Sequence, residues 1–286
     1  MAKKTEYSIP NVLWSYWESP DPILPPIVEL CHKSWLSVGE FDEVNFLRPE
    51  DVELYLDPTD LPVRFSELPP VKKADAVRLA LLAKSGGFWV DAGVLVTGPV
   101  HSWTNQRAST LGFFVFQDVD KSRVLDTWFI GGTIHSKFLK EWLLRHNRFF
   151  GRRKMHETHS LFKTPSRIAT HALVAINKTL GRSVTRRAAW ARFPLSRLPM
   201  YPYFIMHYIA NSMLRSELLQ AEFDSMSKVK ASLALSLRSL IDRQELTPSR
   251  ATSAMQSVPI HKLNTYRDYS AEELRTLRGL LPQLSS

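Results

Sequence analysis

Between residues 72 and 99 the chain reads KKADAVRLALLAKSGGFWVDAGVLVTGP, and three of its side chains have types and spacing suited to chemistry. Asp91 is a lone carboxylate inside Phe88 to Val96, a run that is otherwise apolar. A buried carboxylate without a partner is costly, so two readings are open. It is satisfied by nearby amides at a strand end, or it faces a ligand. Ala92 and Gly93 directly after it would let a bulky group approach the backbone. Open α/β sheets place ligands beyond the carboxyl ends of their strands. An acid there suits a divalent cation that shares the oxygens of a phosphorylated molecule. Asp75 and Arg78 stand three apart on the preceding helix and face the same way. The arginine offers a planar fork of donors to phosphate or hydroxyl oxygens. The plainer alternative is a surface ion pair of small energetic weight.

Other candidates are weaker. VPIHKLNTY places His261 and Lys262 near the chain end. They either return to the site, where lysine would neutralise an anionic leaving group as a compact charge, or form an ordinary strand pair. His207 in FIMHYIAN reads first as a core histidine. MHETHS sets His156 and His159 three apart, without the spacing of four that puts two zinc ligands on one helix face.

The elements that position these residues follow from periodicity and breakers. IPNVLWSYW is a short strand, ILPPIVELCHKSWLS a helix opening at Pro25-Pro26, and DEVNFLRP a second strand. Four prolines between residues 58 and 70 mark loops and helical turns. A helix from Val71 ends at Gly86-Gly87, where glycine takes the left-handed cap conformation. Phe88 to Val96 reads as one central buried strand. LGFFVFQ and DTWFIGG follow as strands and KFLKEWLLRHNRFF as a helix. Alternation of this kind predicts an α/β domain with a mostly parallel sheet flanked by helices. Further helices are expected in TPSRIATHALVAINKT, YFIMHYIANSMLRSELL, KVKASLALSLRSLIDR and SAEELRTLRGLL, the last opened by a capping box, Ser270 to Glu273. Residues 1–145 are expected to form the ligand-binding α/β core, with a helical, basic 146–286 completing the same domain.

Charge is uneven within a net +9. Residues 1–143 hold 14 Lys and Arg against 19 Asp and Glu, whereas residues 144–286 hold 23 against 9. A basic half implies an anionic partner. No RNA or DNA module is recognisable, so nucleic acid is not expected. The runs RHNRFFGRRKMH and GRSVTRRAAWARFPLSRL mix arginine with Phe149, Phe150, Trp190 and Phe193. They suit peripheral contact with an anionic membrane or a solvated basic face. A single cysteine, Cys31, and an opening without an apolar stretch behind its lysines point to the reducing cytoplasm. No stretch approaches the roughly 20 apolar residues that span a bilayer.

The 72–99 stretch resembles the core motif of nucleotide-sugar glycosyltransferases of the GT-A fold. It is most similar to the capsular polysaccharide synthesis family and the related Asp-x-Asp sugar-binding transferases. Asp75, Arg78, Gly86, Gly87, Trp89 and Asp91 fall on the positions of that motif. IPNVLWSYW and DTWFIGG resemble flanking strands, and PYFIMHY and PIHKLNTY downstream blocks. The likeness implies transfer of a sugar, with retention, from a UDP- or GDP-sugar to a glycan or lipid-linked glycan acceptor. It further implies that Asp75 holds donor hydroxyls, that Arg78 lies against sugar and diphosphate, and that Trp14, with Tyr16 and Trp17 beside it, stacks on the base. Trp89, Ala92, Gly93, Gly86, Gly87 and His261 are expected on the donor side. Gly93 replaces the second acid of Asp-x-Asp, which leaves Asp91 as the sole protein ligand to Mn²⁺ or Mg²⁺ beside diphosphate oxygens and water, or leaves a site that holds a metal weakly or not at all. A transferase fold that has become a scaffold is the rival reading.

Overall fold

The computed structural model describes residues 8–107, 112–117, 124–151, 156–157, 200–201 and 203–281. The helix expected at 164–179, the basic run at 181–198 and His159 lie outside them. The strands are β1 (Val12–Tyr16), β2 (Glu43–Leu47), β3 (Gly87–Val90), β4 (Val94–Val96), β5 (Phe114–Gln117), β6 (Phe129–Gly132), β7 (His156–Glu157), β8 (Met200–Tyr201), β9 (Ser227–Lys230) and β10 (Ile260–Lys262). Six of them form one sheet in the order β2-β1-β3-β6-β5-β9. Five point one way, and β6 runs against both of its neighbours. β4 and β10 form a separate antiparallel ribbon, and β7 pairs with β8. The mixed, mostly parallel α/β architecture is therefore the one the alternating pattern predicts.

The helices are α1 (Pro26–Val38), α2 (Val52–Tyr55), α3 (Pro70–Lys84), α4 (Val100–Asn105), α5 (Lys137–Gly151), α6 (Ile205–Met213), α7 (Glu217–Ser225), α8 (Ala231–Ala234), α9 (Ser236–Asp242), α10 (Pro248–Met255) and α11 (Ala271–Gly279). Side chains alternate across each strand, so the sheet has a core on both faces. Trp14, Tyr16, Trp89 and Ile130 pack with α3, α5, α6 and α7 on one side. Leu13, Phe88, Val90, Phe114, Phe116 and Phe129 pack with α1, the β4–β10 ribbon and the C-terminal helices on the other. Among the described residues no helix is long and apolar enough to cross a membrane.

α3 positions most of the site. Proline opens it, where a missing N–H costs nothing. Ala76, Val77 and Leu79 to Ala83 are all buried, because the helix is covered by the sheet and by α5. Gly86 leaves it at φ +71 and Gly87 follows at φ +96, a region that disfavours side chains. A Cβ on Gly87 would also lie 2.5 Å from the Val12 carbonyl oxygen. The double glycine thus ends α3 and lets β3 lie directly against β1.

Three sequence expectations are corrected. Phe88 to Val96 is two strands, because the chain leaves the sheet at Asp91-Ala92-Gly93 and Val94 N–H bonds back to the Asp91 carbonyl at 3.0 Å. Both pieces are covered on all sides, so their apolar run conceals the break. The helix expected over 203–219 divides into α6 and α7. In the expected helix at 228–243, the first residues instead join β9, where pairing with β5 overrides the helical pattern. The capping box is present, with Ser270 Oγ accepting from Glu273 N–H at 3.1 Å. Phe150 is fully buried and offers no apolar side to lipid, and Phe149 is half-buried against the core.

Candidate functional site

A cleft of about 710 Å³ opens beyond the carboxyl ends of β1 and β3, where parallel sheets place their ligands. Its floor is a chain of alternating charges. Lys72 Nζ donates to Asp75 Oδ2 at 3.1 Å, and Arg78 Nη1 donates to Asp75 Oδ1 at 2.8 Å. Arg78 Nη2 reaches Asp91 Oδ1 at 2.7 Å, and Lys262 Nζ reaches Asp91 Oδ2 at 2.9 Å. Trp89 Nε1 donates to Asp91 Oδ1 at 3.1 Å, and the Arg78 guanidinium lies 4.9 Å from the centre of the Trp89 ring. Lys72 Nζ also bonds the Tyr203 carbonyl at 2.6 Å. All of these side chains line the cleft.

The spacing explains the assembly. Lys72, Asp75 and Arg78 occur at intervals of three on α3 and so share one face. Trp89 and Asp91 alternate with Phe88 and Val90, which turn to the opposite core. Lys262 arrives from far along the sequence, because β10 pairs with β4 in a register that sets Lys262 opposite Val94.

Burial acts against the ionised form of both acids. At Asp91 the nearby Lys262 and Arg78 charges outweigh that burial and hold the carboxyl at about 2, below its ordinary 3.8. At Asp75 Lys72 and Arg78 likewise outweigh burial and hold it below the usual carboxylate range. Both are therefore anions at neutral pH. The question of Asp91 is resolved: cations, not amides, compensate it.

The structure brings Tyr16, Trp17, Asp75, Arg78, Trp89, Asp91, Ala92, Gly93 and Lys262 to this cleft. It does not bring Trp14, Gly86, Gly87 or His261 there. Trp14 is 4 % exposed, its indole N–H donates to the Gly86 carbonyl at 2.9 Å, and its ring meets Tyr55 edge-on. It shares a strand face with Tyr16 beneath α3, whereas Trp17, just past the strand, lines the cleft. Gly86 and Gly87 serve the helix-to-strand turn. His261 alternates with Lys262 and points into the interior, where its Nε2 lies 3.3 Å from Thr97 Oγ1. Tyr16 donates its phenol to Glu18 at 2.6 Å, and burial, with Glu18 beside it, raises its pKa.

Sequence reasoning passed over Lys72, Asp126, Arg238, Tyr203 and Tyr266, which also line the cleft. Lys72 carried a usable signal, the same interval of three from Asp75. The others sit on segments whose return to the sheet edge has no local mark. His207, read as a core histidine, lines the cleft 3.5 Å from Thr127 Oγ1.

The divalent ion implied by the resemblance can be tested against this donor set. Both Asp91 oxygens are engaged by cationic side chains, and position 93 has no carboxylate. Among the described residues no three His, Cys, Asp or Glu side chains converge. Such ions are held by one or two carboxylates together with waters and substrate phosphates, and the one carboxylate placed for it has both oxygens taken by cations, so the residues here do not fit one.

A family model described as "Capsular polysaccharide synthesis protein" matches residues 1–279. No curated protein matches the sequence. Among solved structures, a chain titled "PaToxG Glycosyltransferase" aligns at 11% identity and a TM-score of 0.38, covering 96% of this chain and 86% of that one. The match to the family model spans nearly the whole sequence, and the chain belongs to the capsular polysaccharide synthesis protein family.

Proposed function

We propose that the cleft binds a nucleotide-diphosphate sugar and passes the sugar, with retention, to a hydroxyl of a glycan or lipid-linked glycan. The observation that carries this reading is the Lys72–Asp75–Arg78–Asp91 chain lining a deep cleft at the sheet edge. Buried ion pairs are poor stabilisers, because desolvation offsets much of their attraction. A run of them facing a ligand-sized cleft is better explained by binding. Membership of a capsular polysaccharide family agrees with a sugar substrate.

Asp75 stands at the cleft wall as an acceptor for donor hydroxyls, its position held by Lys72 and Arg78. Arg78 is fixed by two carboxylates and the Trp89 face, so its charge is set in place before the donor arrives. That preorganisation stabilises charge developing on the departing diphosphate. Trp17 offers a ring at the mouth for the base, and Tyr203, Phe204 and Tyr266 form the aromatic rim on the acceptor side. In the transfer, the bond from the anomeric carbon to the phosphate oxygen breaks and its electron pair leaves with the diphosphate. The acceptor hydroxyl oxygen bonds to the same face of that carbon, and its proton passes to the diphosphate.

A panel of UDP- and GDP-sugars screened by thermal shift tests the reading. A ligand bound only by the folded chain raises the melting point by mass action, so at least one donor is expected to do so. No shift with any donor would favour a scaffold.

A further inference from the structure

We infer that Lys262 occupies the place of the divalent ion at Asp91, so that the leaving diphosphate is received by an ammonium and a guanidinium rather than by a metal. This inference rests on the nucleotide-sugar reading of the cleft and adds to it.

Three observations lead to it independently of titration. First, the position of a second metal-binding acid is filled by the Thr265 side chain and the Leu263 backbone. A Cβ on Gly93 would lie 2.6 Å from Thr265 Cγ2 and 3.1 Å from the Leu263 carbonyl oxygen. Leu263 N–H is bonded to the Gly93 carbonyl at 2.7 Å, so the segment 263–265 is fastened where an acidic side chain would begin. Second, the same segment delivers the substitute charge. The β4–β10 register turns His261 inward and Lys262 to the cleft, where its side chain is 18 % exposed and its Nζ is 2.9 Å from Asp91 Oδ2. Third, the charges match. Two carboxylates with a divalent ion sum to zero, and so does one carboxylate with one ammonium. An acid with a dication carries the same net charge as a single lysine, so the local balance is the same with either.

Chemistry supports the exchange. An ammonium has three donors. One is engaged by Asp91, leaving two for oxygens of the leaving diphosphate. Lys262 does not transfer its proton; it donates hydrogen bonds to the oxygen that receives the electron pair of the broken glycosyl–phosphate bond. Asp91 anchors Lys262 and Arg78 in the geometry that this requires, and in this role it is no longer chiefly a metal ligand.

Calorimetric titration of the full chain with UDP, GDP and inorganic pyrophosphate, in EDTA and in Mn²⁺ or Mg²⁺, tests the proposal. At least one of these anions should bind in EDTA, with an affinity changed less than about threefold by metal. Lys262→Ala should weaken binding in EDTA about tenfold or more, and Lys262→Arg should stay within about threefold, as expected for loss and retention of a charge-assisted contact. The apo melting points of both variants, near that of the parent, would show that the fold is kept. Binding that appears only with metal, or an affinity unchanged by Lys262→Ala, would overturn the inference while leaving the donor reading intact. No binding of any diphosphate under any condition would overturn both.

Discussion

The two faces of the central sheet treat buried titratable groups differently. Beneath α1 and the β4–β10 ribbon, burial turns them neutral. It raises the Cys31 thiol above its usual range and lowers His261 to about 4. Beneath α3, Asp75 and Asp91 stay ionised because each lies within hydrogen-bond distance of two cations. His146 shows that the face itself is not the cause. It lies buried near the same charges, but burial, its largest influence, lowers it to about 4 as it does His261. Pairing decides which groups keep their charge, and the paired ones are those at the cleft.

The largest expected effect comes from breaking the chain at its centre. Arg78→Met leaves the buried Asp75 and the partly exposed Asp91 each short of a counter-charge. It should cost about 3–5 kcal/mol of stability, the range for removing one partner of a buried pair, read by thermal or denaturant unfolding. Donor turnover in any folded fraction should fall about a hundredfold or more. Asp75→Asn removes one partner from Lys72, which retains the Tyr203 carbonyl. A loss of about 2 kcal/mol is expected, with weaker donor binding.

Gly93→Ala forces a methyl against Thr265 and Leu263, and should cost about 1–3 kcal/mol as overpacking does. Gly98, whose added Cβ would meet only Pro259 at 3.5 Å, is the matched control and should tolerate the same change.

Acid unfolding separates the two behaviours in pH. A carboxylate held below its unfolded value contributes stability that is present above that value and lost as pH falls towards the folded one. For Asp91 the loss should fall between about 3.8 and about 2. For His146 and His261, buried neutral, it should begin near 6.5 and finish near about 4. Asp91→Asn should reduce the lower step, to which Asp75 also contributes, and His261→Gln should reduce the upper one, measured as unfolding free energy against pH. The smallest effect is expected from Trp14→Phe, which deletes one buried hydrogen bond. It should cost about 1 kcal/mol and leave donor affinity unchanged, whereas Trp17→Ala should weaken it.

The strand and helix pattern around α3 was legible because periodicity and the double glycine are local signals, and the fold follows from them. Asp91 was legible as a charge out of place. Its cationic partners were not equally so. Arg78 could be placed by helical spacing, but Lys262 reaches it across 171 positions of sequence through strand pairing. The small residues at 92–93 correctly signalled a close approach, but the approaching group is the chain's own 263–265 segment. Trp14 reads as a base platform because a sequence shows its type and not its orientation. The alternation that puts it with Tyr16 under α3 becomes decisive only once α3 is known to cover that face.

The most direct test is sugar transfer and donor hydrolysis by Asp91→Asn, with the screened donor, beside the parent. The substitution keeps the side chain's size and removes the charge that holds Lys262 and Arg78 in place. Both activities should fall by about a hundredfold or more while the donor still raises the melting point. Turnover equal to the parent's would mean that this carboxylate has no part in the reaction.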